Sequence, residues 1–327
     1  MDPTPKIGNG ETSETFEEVV IRVEDLRKSY GKVVAVDGLD LNVNRGEVFG
    51  FLGPNGAGKT TTLEMIESLR KPDAGEIEVA GYDAVQEGED LKRIIGVQLQ
   101  STALFDYLSV EETLGLFADL YGADSSPARI REMLEIGSLT EKAGSRVDQL
   151  SGGQQHRLSL VMALVNDPQV VFLDEPTTGL DPQSRRNVWE LVRKIREAEK
   201  TVVLTTHDME EAEELCDRVA IMDHGRILVC DTPLALVRSL KMDATVLGSV
   251  EGDPGECLDA DLDLLPGVTS EGCEGNDLRL RTEDVQATVT GLMSLAAERG
   301  LHLKNLSVQN VNLEDVFISY TGRGLRE

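Results

Sequence analysis

The stretch Gly53-Pro54-Asn55-Gly56-Ala57-Gly58-Lys59-Thr60 constrains the fold more than any other part of the chain. Two glycines bracket four residues, then Lys and Thr close the run, which is the pattern of a phosphate-binding loop. Hydrophobic residues from Glu47 to Leu52 read as a strand entering it, and Thr61 to Leu69 as the helix leaving it. Glycine lets the backbone close around phosphate oxygens without obstruction by side chains. Amides of the turn and of the helix N-terminus then point at negative charge. Lys59 brings a compact cation to the outer phosphates. Thr60 is placed to hold Mg2+, and Thr61 offers a second hydroxyl.

A second element sits 115 positions later. Val170-Val171-Phe172-Leu173 is almost purely apolar, as expected for the buried centre of a parallel sheet, and it ends in Asp174-Glu175. The carboxyl edge of such strands is where α/β sheets hold ligands. Asp174 is the expected partner of magnesium, directly or through water. Glu175 points elsewhere and is the candidate to orient or deprotonate an attacking water. Together the two elements predict an α/β, P-loop NTPase core.

Around these anchors the chain divides. Met1 to about Glu18 is polar and reads as a disordered leader. Strand candidates at Val19 to Leu26, Val33 to Val36 and Leu39 to Val43, with a turn at Asp37-Gly38, form a small antiparallel sheet ahead of the loop. Tyr30, just beyond the first strand, is placed to stack on an adenine ring. From Ser109 to Asn166 the periodicity is mainly helical, opening on a Ser109–Glu112 capping box, so a helical subdomain spans about 101–166. We expect an ATPase domain over 19–236 and a small α/β accessory domain over 237–327. In the latter, strands are expected at Ala244 to Val250, Asp277 to Arg281 and Leu301 to Val308, with helices at Val285 to Glu298 and Leu313 to Tyr320.

The helical subdomain carries a further phosphate-binding candidate. Leu150-Ser151-Gly152-Gly153-Gln154 immediately precedes a helix, where a hydroxyl and free amides can meet an anion. Its distance from Gly53–Thr60 in sequence points to the two surfaces facing different nucleotides. With the loop and Val170 to Glu175, the run Leu150 to Gln155 resembles the signature of ABC transporter ATPases over about Val19 to Leu236. That resemblance implies two ATPase domains meeting head to tail as a homodimer. Each loop would close its ATP against Ser151 to Gln154 of the other copy, with Mg2+ as cofactor. It also implies that Tyr30 stacks on adenine, that Gln100 senses Mg2+ and contacts a separate transmembrane permease, and that Asp181 in Gly179-Leu180-Asp181 links the sites across the dimer. His207 matches a switch histidine at the terminal phosphate. Phe105, Tyr107 and Leu108 are candidates for the permease groove and equally for core. Asp315 to Ile318 and Thr321-Gly322-Arg323 resemble the endings of ATPases serving drug- or antibiotic-exporting permeases of the ABC-2 type, which favours export over import.

Net charge is -27, from 59 acidic and 32 basic residues. Dense carboxylates fit a host cytoplasm of high salt, where screening limits their repulsion; an ordinary acidic protein is the other explanation. Either way the field disfavours binding to nucleic acid backbone. Cys216, Cys230, Cys257 and Cys273 fit no compact zinc pattern. No apolar run is long enough to span a bilayer, so a place on the cytoplasmic side of the membrane, through the permease, is expected. A soluble ATPase of the same type acting on ribosomes or DNA is the main rival. It is opposed by the single ATPase domain, the lack of a coiled-coil interruption and the lack of a basic face. A non-catalytic nucleotide-binding regulator is opposed by Glu175 and His207.

Overall fold

Three strands, β3 (Val48–Leu52), β7 (Val170–Asp174) and β8 (Thr201–Thr206), are buried at every position. Continuous apolar sequence is what strands covered on both faces require. The computed structural model describes residues 18–98, 104–240, 244–251, 262, 264–274 and 276–322. The leader and Gln100 lie outside them, apart from Glu18.

These strands form the centre of a six-stranded sheet with β6 (Ile95–Gln98), β9 (Arg218–Asp223) and β10 (Arg226–Asp231), in the order β10-β9-β3-β8-β7-β6. All neighbours are parallel except β9 and β10, which form a hairpin. The registers Leu52↔Thr206 and Asp174↔Thr205 bring the carboxyl ends of β3, β7 and β8 to one edge. A second sheet, ordered β2-β1-β4-β5, consists of β1 (Val19–Tyr30), β2 (Val33–Asn44), β4 (Ala74–Val79) and β5 (Tyr82–Asp83). Here β2 runs unbroken through the turn expected at Asp37-Gly38. The register slips instead, with Gly38 at φ 69° and Asp25 on the paired strand at φ 45°. A bulge absorbs the turn chemistry while the pairing continues.

The core sheet buries one layer on each face. Phe49, Phe51, Phe172 and Val203 pack with the second sheet and with α1 (Lys59–Ile66). Leu52, Val171, Leu173 and Leu204 pack with the helices. These include α3 (Val110–Tyr121), α4 (Pro127–Ile136), α5 (Gly152–Met162) and α6 (Pro182–Glu197). Ser109 caps α3 in a reciprocal box with Glu112, with bonds of 3.2 and 2.8 Å, as the sequence predicts.

Toward the C-terminus, α7 (Met209–Leu215) and α8 (Pro233–Ser239) lead into an antiparallel sheet of order β12-β13-β11-β14. Its strands are β11 (Ala244–Glu251), β12 (Val268–Glu274), β13 (Asp277–Thr282) and β14 (His302–Gln309). One face buries Val246, Val250, Leu278 and Leu280 with Leu292 of α9 (Val285–Arg299). The last helix, α10 (Leu313–Thr321), does something else. Its Leu313, Val316 and Phe317 are buried in the same cluster as α6 and α7. The Leu313 amide donates to the Glu213 carboxylate at 2.8 Å. The chain thus leaves the large core, builds a small sheet, and returns.

Candidate functional site

Gly53 receives the end of β3, and its amide donates to the Thr206 carbonyl at 3.3 Å. A Cβ on Gly53 would lie 2.3 Å from the Met222 carbonyl oxygen, and one on Gly58 the same distance from that of Ala35. Backbone packs against backbone at both points, so neither position admits a side chain. Gly58 also caps α1 at φ 102°, a conformation that costs glycine little. The loop is therefore preshaped by its neighbours.

The loop forms one wall of a cavity of about 660 Å³ lined by Tyr30, Asn55, Lys59, Thr60, Glu175 and His207, among others. Lys59 is buried, and its ammonium donates to the Gly53 carbonyl at 2.7 Å and the Pro54 carbonyl at 3.2 Å. Its pKa lies below the ordinary lysine value because burial penalises the charge; the nearby Glu175 and Asp174 carboxylates oppose that shift. Thr60 donates its hydroxyl to Asp174 Oδ1 at 3.1 Å. The Thr205 hydroxyl donates to the same oxygen. A hydroxyl and a carboxylate converging at this spacing are hard oxygen donors, the set that suits Mg2+ with water completing its shell.

Glu175 is the other chemical centre. Its backbone takes φ 49°, unusual for a side-chain-bearing residue, and its amide donates to the Thr205 hydroxyl at 3.0 Å. This bend turns the carboxylate away from Asp174 and into the cavity wall. There Oε2 accepts from the Thr178 hydroxyl at 3.0 Å, Oε1 lies 3.2 Å from His207 Nδ1, and Oε1 lies 3.8 Å from Lys59 Nζ. Strained backbone at a buried acid, held by three polar neighbours, is the arrangement expected of a group positioned for chemistry. Thr205 and Thr178 escaped the sequence reading. No local signal marks Thr205, because its bonds to Asp174 and Glu175 depend on the pairing of β7 with β8.

Tyr30 is 43% exposed at the cavity mouth, with the Arg70 guanidinium 5.4 Å from its ring centre. Asn55, Gly56, Thr60 and Thr61 also line the cavity. Pro54 and Ala57 complete the loop, where the Ala57 carbonyl accepts from Gly225 at 2.9 Å and ties it to the β9–β10 turn.

Ser151, Gly152, Gly153 and Gln154 do not line this cavity, and neither does Asp181. Ser151 caps α5: its hydroxyl accepts from the Gln154 amide at 3.3 Å while the Gln154 side chain accepts from the Ser151 amide at 2.9 Å. Gly153 backs onto Ser184, whose hydroxyl donates to Asp181 at 2.6 Å. The structure thus gathers Asn55, Gly56 and Gly58–Thr61 of the loop, Glu175, Tyr30 and His207 around one cavity, with Asp174 held to Thr60 beside it. It gathers Ser151–Gln154 and Asp181 into a separate cluster.

The family model described as ABC transporter matches residues 36–178. The chain is 40% identical to a Nod factor export ATP-binding protein I of Paraburkholderia xenovorans, covering 95% of this chain and 99% of that one. It is 37% identical to a linearmycin resistance ATP-binding protein of Bacillus subtilis, covering 94% and 100%. A solved dimeric bacterial ABC transporter cassette is similar at a TM-score of 0.59 and 30% identity, over 65% of this chain and 98% of that one.

Proposed function

Because this chain belongs to the ATP-binding, ATP-hydrolysing subunits of ABC transporters, of the drug- and antibiotic-exporter type, we propose that two copies close head to tail around ATP and thereby drive export through a separate transmembrane permease. The observation that carries this reading is the position of Glu175. It sits on a strained bend, held by Thr178 and close to His207 and Lys59 at the wall of the loop cavity.

Each site residue has a role in this reading. Tyr30 stacks on the adenine. The Gly53–Thr60 amides and Lys59 take the phosphates, with Thr61 at their edge. Thr60 and Asp174 would hold Mg2+, which would supply neutralisation of phosphate charge, and Gln100 is assigned to the same role. Glu175 accepts a proton from the attacking water as the new oxygen–phosphorus bond forms and the bond to the ADP oxygen breaks. His207 holds the terminal phosphate. Ser151–Gln154 meet the nucleotide of the second copy, and Asp181 links the two sites.

Gly152 supports the dimer. A Cβ there would meet nothing within 4 Å. Nothing within this chain therefore requires glycine at the first position of α5, whereas close approach by a second molecule would. Of the three groove candidates, Phe105 and Tyr107 are exposed and Leu108 is partly buried, so the first two support a permease groove there. Among the described residues no helix is long and apolar enough to cross a membrane, so transport needs a partner that does. We read 19–236 as the ATPase domain, with its helical part at about 101–166, and 237–327 as accessory, strapped back by α10. The acidic surface is read as fitted to a salt-rich cytoplasm. Turnover by the purified chain reconstituted with its permease tests the proposal: ATP-dependent efflux supports it, and hydrolysis tied to ribosomes or DNA instead would replace it with the rival reading.

A further inference from the structure

We propose that a second cavity, between the accessory sheet and α10, is a binding site for a small anionic molecule bearing a phosphate or carboxylate. The cavity has about 660 Å³ and is walled by Arg279 and Arg281 of β13, Thr245 of β11, and Gln309, Asn310 and Asn312 before α10. Side chains alternate along a strand. Leu278 and Leu280 are buried under α9, so Arg279 and Arg281 stand on the opposite face, exposed to the cavity. Thr245 is the cross-strand partner of Arg281 and of Gln309, which brings all three to one row.

Two features single this wall out in a chain of net charge -27. Among the described residues, neither guanidinium makes an ion pair or side-chain hydrogen bond, although 59 carboxylates are available in the chain. The second feature is sequence. The runs of 14 or more residues free of Asp and Glu are 48–63, 91–105, 149–166 and 299–313. The first contains the phosphate-binding loop and the third contains Ser151–Gln154. Two of the four acid-free runs thus coincide with proposed phosphate contacts. The fourth run includes Gln309, Asn310 and Asn312 of the cavity wall.

The site takes an anion through side chains rather than through a helix end. The first amides of α10 are already satisfied: Leu313 by Glu213, and Glu314 and Asp315 by Asn312. Two guanidiniums on one face present forked donors to phosphate or carboxylate oxygens. The opposite wall carries Glu314 and Asp315. Asp315 is engaged by the Asn312 amide at 3.0 Å, which leaves Glu314 to face the ligand. This favours a ligand with hydroxyl or amine donors beside its anionic group over a bare polyanion. Occupancy would join the accessory sheet to a helix anchored on α7, the helix that follows His207.

The test titrates inorganic pyrophosphate, citrate and glucose 6-phosphate separately onto the full-length Lys59→Ala chain, which lacks the main phosphate ligand of the loop. The first two probe the anionic group, and the third adds hydroxyl donors. Saturable one-to-one binding of at least one probe is expected, weakened tenfold or more by Arg279→Ala with Arg281→Ala and partly restored by the paired Lys substitutions. Thermal unfolding of each unliganded variant separates loss of the site from loss of the fold, and the single Ala variants serve if the double one is unfolded. No saturable binding up to about 10 mM, far weaker than ordinary ligand affinities, would overturn the proposal. So would equal binding by correctly folded Ala variants.

Discussion

The loop cavity and the Ser151 cluster are the two proposed phosphate contacts, and they are finished to different degrees. Gly53 and Gly58 are wedged against the backbone of β9 and β2, and Lys59 and Glu175 are buried. Gly152 faces open space, and Ser151 is exposed with its polar groups turned on its own helix. One wall is complete within a single chain, while the other lacks its opposite side. In the proposed dimer, a catalytic site divided in this way would place hydrolysis under the control of assembly, because bound ATP would stabilise only the state in which both walls meet.

The contrast can be broken from either side. Glu175→Gln keeps the carboxylate's shape and removes its basicity. Turnover should fall by about 10²–10⁴-fold with ATP still bound, measured as phosphate release beside nucleotide binding. Loss of binding instead would mean that Glu175 shapes the loop. Gly152→Arg puts bulk on the open wall. ATP affinity should stay near that of the unmodified chain, while turnover drops on the order of a hundredfold, the scale of a misplaced reactive group. Equal losses of affinity and turnover would erase the distinction between the walls.

Burial also has a cost on the finished side. Glu67 ends α1 fully buried, and among the described residues neither carboxyl oxygen has a hydrogen-bond partner. Burial pushes its pKa up to about 8, with Asp174 and Glu64 adding to the effect. The folded chain keeps a proton that the unfolded chain releases near the ordinary value of 4.5. Stability therefore falls as pH rises from about 4.5, with the loss complete above about 8. Glu67→Gln should remove that slope, stabilising the protein by roughly 2–5 kcal/mol at pH 8.5 and little at pH 4.5, read by denaturant unfolding. The smallest effect is expected at the rim. Tyr30→Ala should weaken ATP binding about tenfold, and Tyr30→Phe should leave it unchanged, the signature of stacking rather than of the hydroxyl.

Legibility in the sequence follows the same divide between local and distant causes. The loop, the β7 acids and the Ser151 cap are contiguous, because each binds through adjacent amides or through a strand end. Thr205 was harder to see, since its bonds to Asp174 and Glu175 depend on the pairing of β7 with β8. The strand β12 was missed, because Val268 to Glu274 contains Ser, Glu and Gly with little apolar alternation and is held by β13 instead. The helix at the end was foreseen, but its return to the large core was not. Leu313, Val316 and Phe317 show an apolar face without showing what covers it.

The most direct test is the mass in solution of the Glu175→Gln chain with Mg-ATP, measured by light scattering at high salt. A shift from one 35.7 kDa chain to twice that mass is predicted, abolished by adding Gly152→Arg although ATP remains bound. A mass that stays single with ATP bound, or a dimer indifferent to Gly152→Arg, would contradict a site completed by the Ser151 wall of a second copy.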